Sequence, residues 1–191
     1  EVIYRPYWNV PTSILRKEIL PQLRRRPQYL VDEAMEIVGG QGDDAAVLPA
    51  TPENLERLRS GAYRLRQRPG PRNSLGLVKF VFPNEADVYM HGTPAPALFL
   101  RRRRDFSHGC VRVQNPIGLA EWLLAPTGAW PRERIVAAMN ADAVSQHVRV
   151  EPPVQVLLFY TTAAVQQDGT LRFADDIYGH DRRLDAALRA R

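Results

Sequence analysis

Four histidines and one cysteine are the residues of this chain best suited to acid–base and nucleophilic chemistry, and they are not scattered evenly. The cysteine stands in Ser107-His108-Gly109-Cys110-Val111-Arg112, nineteen positions after the histidine of Tyr89-Met90-His91-Gly92-Thr93. A thiol attacks a carbonyl as thiolate, so it needs a base within reach. Two of the four histidines lie in this one window. A glycine before the nucleophile lets the backbone approach a substrate and point N–H groups at a developing oxyanion. The pattern reads as a cysteine acyl-transfer site rather than a small buried thiol packed as a hydrophobe.

His91 and His108 compete for the role of base. His108 is two residues from Cys110, and a tight glycine turn does not readily bring its ring to the sulfur. His91 comes from another strand and can approach across a sheet, with the Gly92 carbonyl as the nearest orienting group. His108 is then read as a histidine that shapes the turn. His147 and His180 stand among polar neighbours and read as surface residues. A zinc site is set aside: two histidines and one cysteine lack Cys-x-x-Cys, His-x-x-x-His or His-Glu-x-x-His spacing. No metal and no cofactor is expected.

The elements that must carry these residues are legible in outline. Leu75 to Phe82 and Asp87 to His91 read as a hairpin that places His91 at a strand end. The opening segment from Val2 to Trp8 reads as a strand running into an irregular aromatic turn. Ser13 to Arg26 has helical periodicity interrupted by Pro21, and Tyr29 to Val38 reads as a second amphipathic stretch closed by Gly39-Gly40. Gln41 to Pro49 reads as loop. Thr51-Pro52-Glu53 and Asn115-Pro116 are helix starts, and Pro131 opens another helix through Met139. Val154 to Thr162 reads as an apolar strand, with Gln167-Asp168-Gly169 as a turn and Thr170 to Phe173 as its return. The tail from Asp181 reads as a short basic helix. The expected class is α+β, mainly β with added helices, and the stretch before residue 70 resembles a helical insertion.

Composition bounds the rest. The 191 residues are 45% hydrophobic and 25% charged, ordinary for a globular domain, and no run approaches a membrane span. The net charge of +5 is carried mostly by arginine, with Lys17 and Lys79 the two lysines. Clusters at 24–26, 64–68 and 101–104 read as solvated basic faces. Nucleic acid is not an expected partner, because neither interleaved stacking aromatics nor a reading motif accompanies them. The opening Glu1-Val2-Ile3-Tyr4 without methionine suggests a processed product or an excised domain. A membrane anchor and a first sandwich strand are expected, if anywhere, in a segment preceding Glu1.

His91-Gly92, fourteen further residues and then the Ser107 to Arg112 block resemble the signature of the L,D-transpeptidase catalytic domain, the YkuD-type family of bacterial cell-wall enzymes. Pro6-Tyr7-Trp8-Asn9-Val10-Pro11, Gln67-Arg68-Pro69-Gly70-Pro71, Leu75-Gly76-Leu77-Val78-Lys79-Phe80 and Asp175-Asp176-Ile177-Tyr178-Gly179 resemble its large YcbB-type branch in Gram-negative bacteria. The resemblance implies a β-sandwich over residues 1–191, with residues 13–68 as a helical substrate-capping insertion. It implies Cys110 as nucleophile, His91 as base and then acid, and Gly92 as its orienter. Gly109, Cys110 and Tyr89 would form the oxyanion hole. Arg112 would meet a substrate carboxylate, Ser107 and His108 would border the substrate, and Trp8 would be either a groove wall or a core residue.

The implied substrate is the tetrapeptide stem of peptidoglycan. The bond between the L-centre of meso-diaminopimelate and the terminal D-alanine would be exchanged, through a thioester, for a 3→3 crosslink. Implied too are a periplasmic location and sensitivity to carbapenems. Hydrolysis on the same scaffold, giving L,D-carboxypeptidase or crosslink-cleaving activity, and a non-catalytic peptidoglycan-binding module are the alternative readings.

Overall fold

The computed structural model describes residues 1–142 and 145–190. They form two units, divided between Val154 and Gln155. In the first, the strands are β1 (Val2–Tyr4), β2 (Trp8–Asn9), β3 (Met35–Gly39), β4 (Ala46–Leu48), β5 (Arg64–Gln67), β6 (Val78–Phe80), β7 (Met90–His91), β8 (Val111–Arg112) and β9 (Gln146–Val148). The helices are α1 (Thr12–Ile14), α2 (Leu20–Arg25), α3 (Tyr29–Asp32), α4 (Pro52–Ser60), α5 (Pro116–Leu124) and α6 (Arg132–Asn140). The second unit holds β10 (Ala163–Val165), β11 (Leu171–Phe173) and α7 (His180–Arg189). The class is α+β, and no helix among the described residues is long and apolar enough to cross a membrane.

One sheet runs in the order β8-β7-β6-β1-β9. Alternation along its strands separates two faces. Val2 and Tyr4 on β1 lie opposite Phe80 and Val78 on β6, and all four are buried with Ala120 and Leu124 of α5 and Ile135 and Met139 of α6. That face is the core. The expected helix starts are in place: Asn115 Oδ1 accepts from the Gly118 N–H at 3.0 Å, and Thr51 Oγ1 accepts from Asn54 N–H at 3.2 Å. The β6–β7 hairpin is stapled by Asn84, whose side chain bonds the Phe82 and Val88 carbonyls and the Val88 N–H.

A second sheet, ordered β2-β5-β3-β4, has its own core of Ile14, Leu15, Ile19, Leu30, Ile37, Leu58 and Leu65. Here the sequence expectations need correcting. The stretch from Tyr29 is helical only to Asp32. Ala34 takes a left-handed φ of 52°, and Met35–Gly39 is a strand with both Ile37 and Val38 buried. A local periodicity cannot report a partner strand that arrives at Arg64. Gln41 to Pro49 contains the edge strand β4. The supposedly solvated arginines at 64–68 lie largely in β5, a central strand. Arg66 is 3% exposed, its Nε 2.7 Å from Glu36 Oε1 and its guanidinium 4.0 Å from the Tyr7 ring centroid. The stretch read as a helical insertion is therefore a mixed sheet-and-helix structure. Pro21 does not break its helix. A π turn at Leu15–Ile19 joins α1 to α2, and Pro21 falls in the first turn of α2, where its missing N–H is tolerated.

In the second unit, the predicted strand from Val154 to Thr162 is not one. The strand begins at Ala163 and pairs with β11 in the register Ala163↔Phe173, Val165↔Leu171. Thr161 Oγ1 donates to the Ala163 carbonyl at 2.6 Å, a local turn that competes with extended pairing. Leu157 and Phe159 are each 76% exposed. Asp176 caps α7 by accepting from the His180 and Asp181 N–H groups.

Candidate functional site

The face of the first sheet opposite the core carries a row of polar side chains. Register places Ile3 opposite Lys79, Lys79 opposite His91, and His91 opposite Arg112; Ile3 also faces His147 on the other side. The β7–β8 pair is parallel, so Cys110, one residue before Val111, alternates onto the same face as Arg112, His91 and Tyr89. Strand pairing, rather than chain proximity, brings the nucleophile candidate to the base candidate. Both open into one cavity of about 1290 Å³ that Lys79, Tyr89, Trp8 and Arg112 also line.

His91 is buried, and its Nδ1 lies 2.5 Å from the Gly92 carbonyl oxygen, so Nδ1–H is the donor and Nε2 is left as the basic nitrogen. The Gly92 N–H is held in turn by the Val78 carbonyl at 2.9 Å. Burial pulls the imidazole below its ordinary pKa, and the positive charges of Arg112 and Lys79 act in the same direction. Hydrogen bonds to the Gly92 and Leu75 backbone oppose the shift. The net effect keeps His91 neutral and available as a base.

Tyr89 lies beside the Cys110 side chain and Trp8, close enough for both to act on its hydroxyl. Indole N–H only donates, so Trp8 meets the phenol oxygen as a donor and leaves the phenol O–H available to sulfur. Burial is the main reason the Tyr89 hydroxyl titrates well above the usual tyrosine range, with the Cys110 charge adding to it. The phenol therefore remains a donor throughout the working range. Trp8 is both a cavity wall and part of the second core's rim.

The glycine turn is shaped as the residue types suggest but occupied differently. Gly109 has φ +123°, a conformation that favours glycine, and its N–H donates to Ser107 Oγ at 3.3 Å. A substrate oxygen at the Gly109 N–H would have to replace that hydroxyl. His108 does not point along the turn: its Nε2 lies 2.7 Å from Glu18 Oε1, in the π turn of the second sheet's helices. His147 sits 3.0 Å from Glu1 Oε1, and the His180 ring packs at 5.0 Å from that of Tyr160 in the second unit. Among the described residues no group of three His, Cys, Asp or Glu side chains converges as a metal site.

Two contributors take roles that the Leu75 to Phe80 motif does not itself reveal. Lys79 looks like a polar break in an apolar strand, yet its ammonium is 3.8 Å from the centre of the Tyr89 ring. Gly76, φ +66°, lets the Leu75–Leu77 backbone approach the peptide after His91 so closely that a Cβ there would lie 2.5 Å from Thr93 N and 2.8 Å from the Gly92 carbonyl carbon. An isolated glycine inside a strand-like run is the signal for such an approach. Asn73, 1% exposed, fixes this turn by accepting from the Leu75 N–H at 2.8 Å and donating to the Pro6 carbonyl at 3.0 Å.

A neutral buried imidazole, a thiol under a phenol donor and an adjacent guanidinium can carry out acyl transfer. Comparison with known proteins points the same way. A Haemophilus influenzae protein named "Putative L,D-transpeptidase" is 32% identical over 186 residues, which is 97% of this chain and 37% of that protein. The chain thus spans little more than a third of the relative's length. The family model for the L,D-transpeptidase catalytic domain (YkuD) matches residues 1–156, which takes in both sheets and every residue of the cavity. The chain belongs to the L,D-transpeptidase catalytic domain family.

Proposed function

We propose that this domain is a cysteine acyltransferase that remodels peptidoglycan in the bacterial periplasm. The observation that carries the reading is the shared sheet face of Cys110 and His91, with the His91 ring held by the Gly92 carbonyl and the thiol under the Tyr89 hydroxyl. The donor is a tetrapeptide stem. His91 Nε2 takes the thiol proton, and sulfur attacks the carbonyl of the L-centre of meso-diaminopimelate. The tetrahedral oxygen is met by the Cys110 and Gly109 N–H groups, with Tyr89 at its side. As the C–N bond breaks, His91 returns the proton to the departing D-alanine, leaving a thioester. The side-chain amine of a second stem then attacks, gives its proton to His91 and forms a 3→3 crosslink while the thiol is regenerated. Arg112 is placed to pair a stem carboxylate in bidentate fashion.

Residues 13–68 contribute Ile14, Leu15, Glu18 and Tyr63 to the cavity lining, which supports assigning this stretch the capping role. Ser107 and His108 border the substrate, His108 through its link to Glu18. A carbapenem presents a strained carbonyl to the same thiol and acts as a suicide donor.

Mass spectrometry of the protein with a disaccharide-tetrapeptide, and separately with a carbapenem, tests the reading. A crosslinked dimer and an adduct on Cys110 are the expected products. A tripeptide alone moves the assignment to hydrolysis. No adduct on Cys110, with Cys110→Ala behaving as wild type, removes every catalytic version.

A further inference from the structure

Lys79 has no part in the chemistry above, yet it occupies the centre of the site's sheet face. Cross-strand register puts it directly opposite His91. Its ammonium lies 3.8 Å from the Tyr89 ring centroid, well inside cation–π range. That ring lines the same cavity as Cys110, and the sulfur is near enough to act on its hydroxyl. Lysines are seldom turned toward the interior of a sheet protein without a partner, and this side chain is half-buried on a face lined by Cys110, His91 and Arg112. We propose that Lys79 is a positioning residue of the cysteine centre. It holds the Tyr89 ring beneath its ammonium and supplies the positive field in which the Cys110 thiolate forms.

Two arguments support this. Tyr89 is met on two sides, by Trp8 near its oxygen and by the Lys79 cation on its ring, which leaves the phenol O–H to the Cys110 side. The charges also balance with thiolate present. Burial alone pulls Lys79 below the ordinary lysine range, and the negative charge of Cys110 is the largest effect opposing it, ahead of Asp87, Asp43 and Glu1. Facing the sulfur from β7 and β8 are His91, which Lys79 helps to keep neutral, and Arg112. Each of the three carboxylates that act on Lys79 is weaker in effect than the thiolate.

The inference rests on Cys110 being the nucleophile, but its test needs no stem peptide, so failure of acyl transfer and failure of the Lys79 link are read separately. The rate of Cys110 carbamidomethylation by iodoacetamide is followed against pH in wild type, Lys79→Met, Lys79→Gln and Lys79→Arg. A cation on the sheet face and cavity shared with Cys110 is expected to move the midpoint by about one pH unit. The two neutral variants should be displaced upward by that amount, with about tenfold slower alkylation below the midpoint, and Lys79→Arg should restore most of it. Folded neutral variants with an unmoved midpoint, or an arginine variant displaced as far as methionine, overturn the proposal.

A second measurement leaves Lys79 in place. With only two lysines in the chain, reductive ¹³C-methylation gives two side-chain signals, assigned with Lys17→Arg. The Lys79 signal should titrate at lower pH once Cys110 is replaced by alanine. An identical titration with and without the thiol overturns the link even if the neutral variants do not fold.

Discussion

His91 Nδ1 stands 2.5 Å from the carbonyl oxygen of Gly92, so the base is oriented by the backbone of its own strand end. Gly92 is in turn tied to β6 through the Val78 carbonyl. The proton on Nδ1 is thereby located, and the basic lone pair is on the other nitrogen.

Stability should depend on this histidine in a definite direction. Burial depresses its pKa in the folded state, whereas the unfolded chain binds a proton near the ordinary value of about 6.5. Below that pH the unfolded state carries more protons than the native one, so stability falls as pH falls and levels off beneath the folded pKa. Urea unfolding at pH 7.5 and 5.5 should show this loss in wild type, at no more than about 1.4 kcal/mol per pH unit. His91→Gln should flatten the slope and abolish acylation of Cys110 by a carbapenem. An unchanged slope would falsify the assignment.

Tyr89→Phe keeps the ring that Lys79 covers and removes the hydroxyl that meets sulfur. Loss of one preorganised donor at the reacting centre costs about ten- to a hundredfold in acylation rate. Because the phenol titrates above the usual range, the wild-type rate should show no limb from it below pH 10. Stopped-flow acylation measures both, and an unaffected rate in the variant removes Tyr89 from the chemistry.

Glu36→Gln tests the second sheet. Arg66 and Glu36 pair at 2.7 Å with side-chain exposures of 3% and 13%, and Arg66 also donates to the Asp43 carbonyl at 2.7 Å. Deleting one partner of a buried pair costs about 3 kcal/mol or more, while replacing both by apolar residues of similar volume is close to neutral. Urea midpoints of Glu36→Gln and of Glu36→Leu/Arg66→Met should differ accordingly. Equal midpoints would show that the pair is not desolvated.

At Gly76, alanine should damage the site from a distance. Its Cβ would fall against Thr93 N and the Gly92 carbonyl carbon, backbone atoms that cannot rotate away, and the left-handed φ adds strain. Acylation should slow at least about tenfold through displacement of the His91 orienting carbonyl, alongside a loss of about 2 kcal/mol in stability. Normal acylation kinetics in Gly76→Ala would separate the two backbones.

The α+β class, the hairpin carrying His91 and the capped helices were legible because each is signalled locally, by alternation, by Pro83-Asn84 or by Thr51 and Asn115. The sequence also singles out Cys110 and His91, since so few residues here can do their chemistry. What stayed hidden depends on long-range pairing. β3 becomes a strand because β5 arrives beside it, and Arg66 is buried because Glu36 waits there. His108 turns to Glu18, ninety residues earlier, for reasons no turn propensity contains. Lys79 is seen as part of the site only once register sets it against His91. The reverse error occurred at Val154 to Thr162, where hydrophobicity mimicked a strand that has no ladder.

The parallel pairing of β7 with β8 has a consequence for what change the domain can tolerate. A parallel pair cannot be closed by a tight turn, so the chain between His91 and Arg112 must travel out and come back. Only a two-step ladder, Met90 against Val111 and His91 against Arg112, decides where the two reactive side chains end up. The nineteen-residue spacing is accordingly a tether and not a ruler. Residues 94–106 can be lengthened, shortened or replaced while His91 and Cys110 keep their places, because the ladder and not the length of the excursion fixes them.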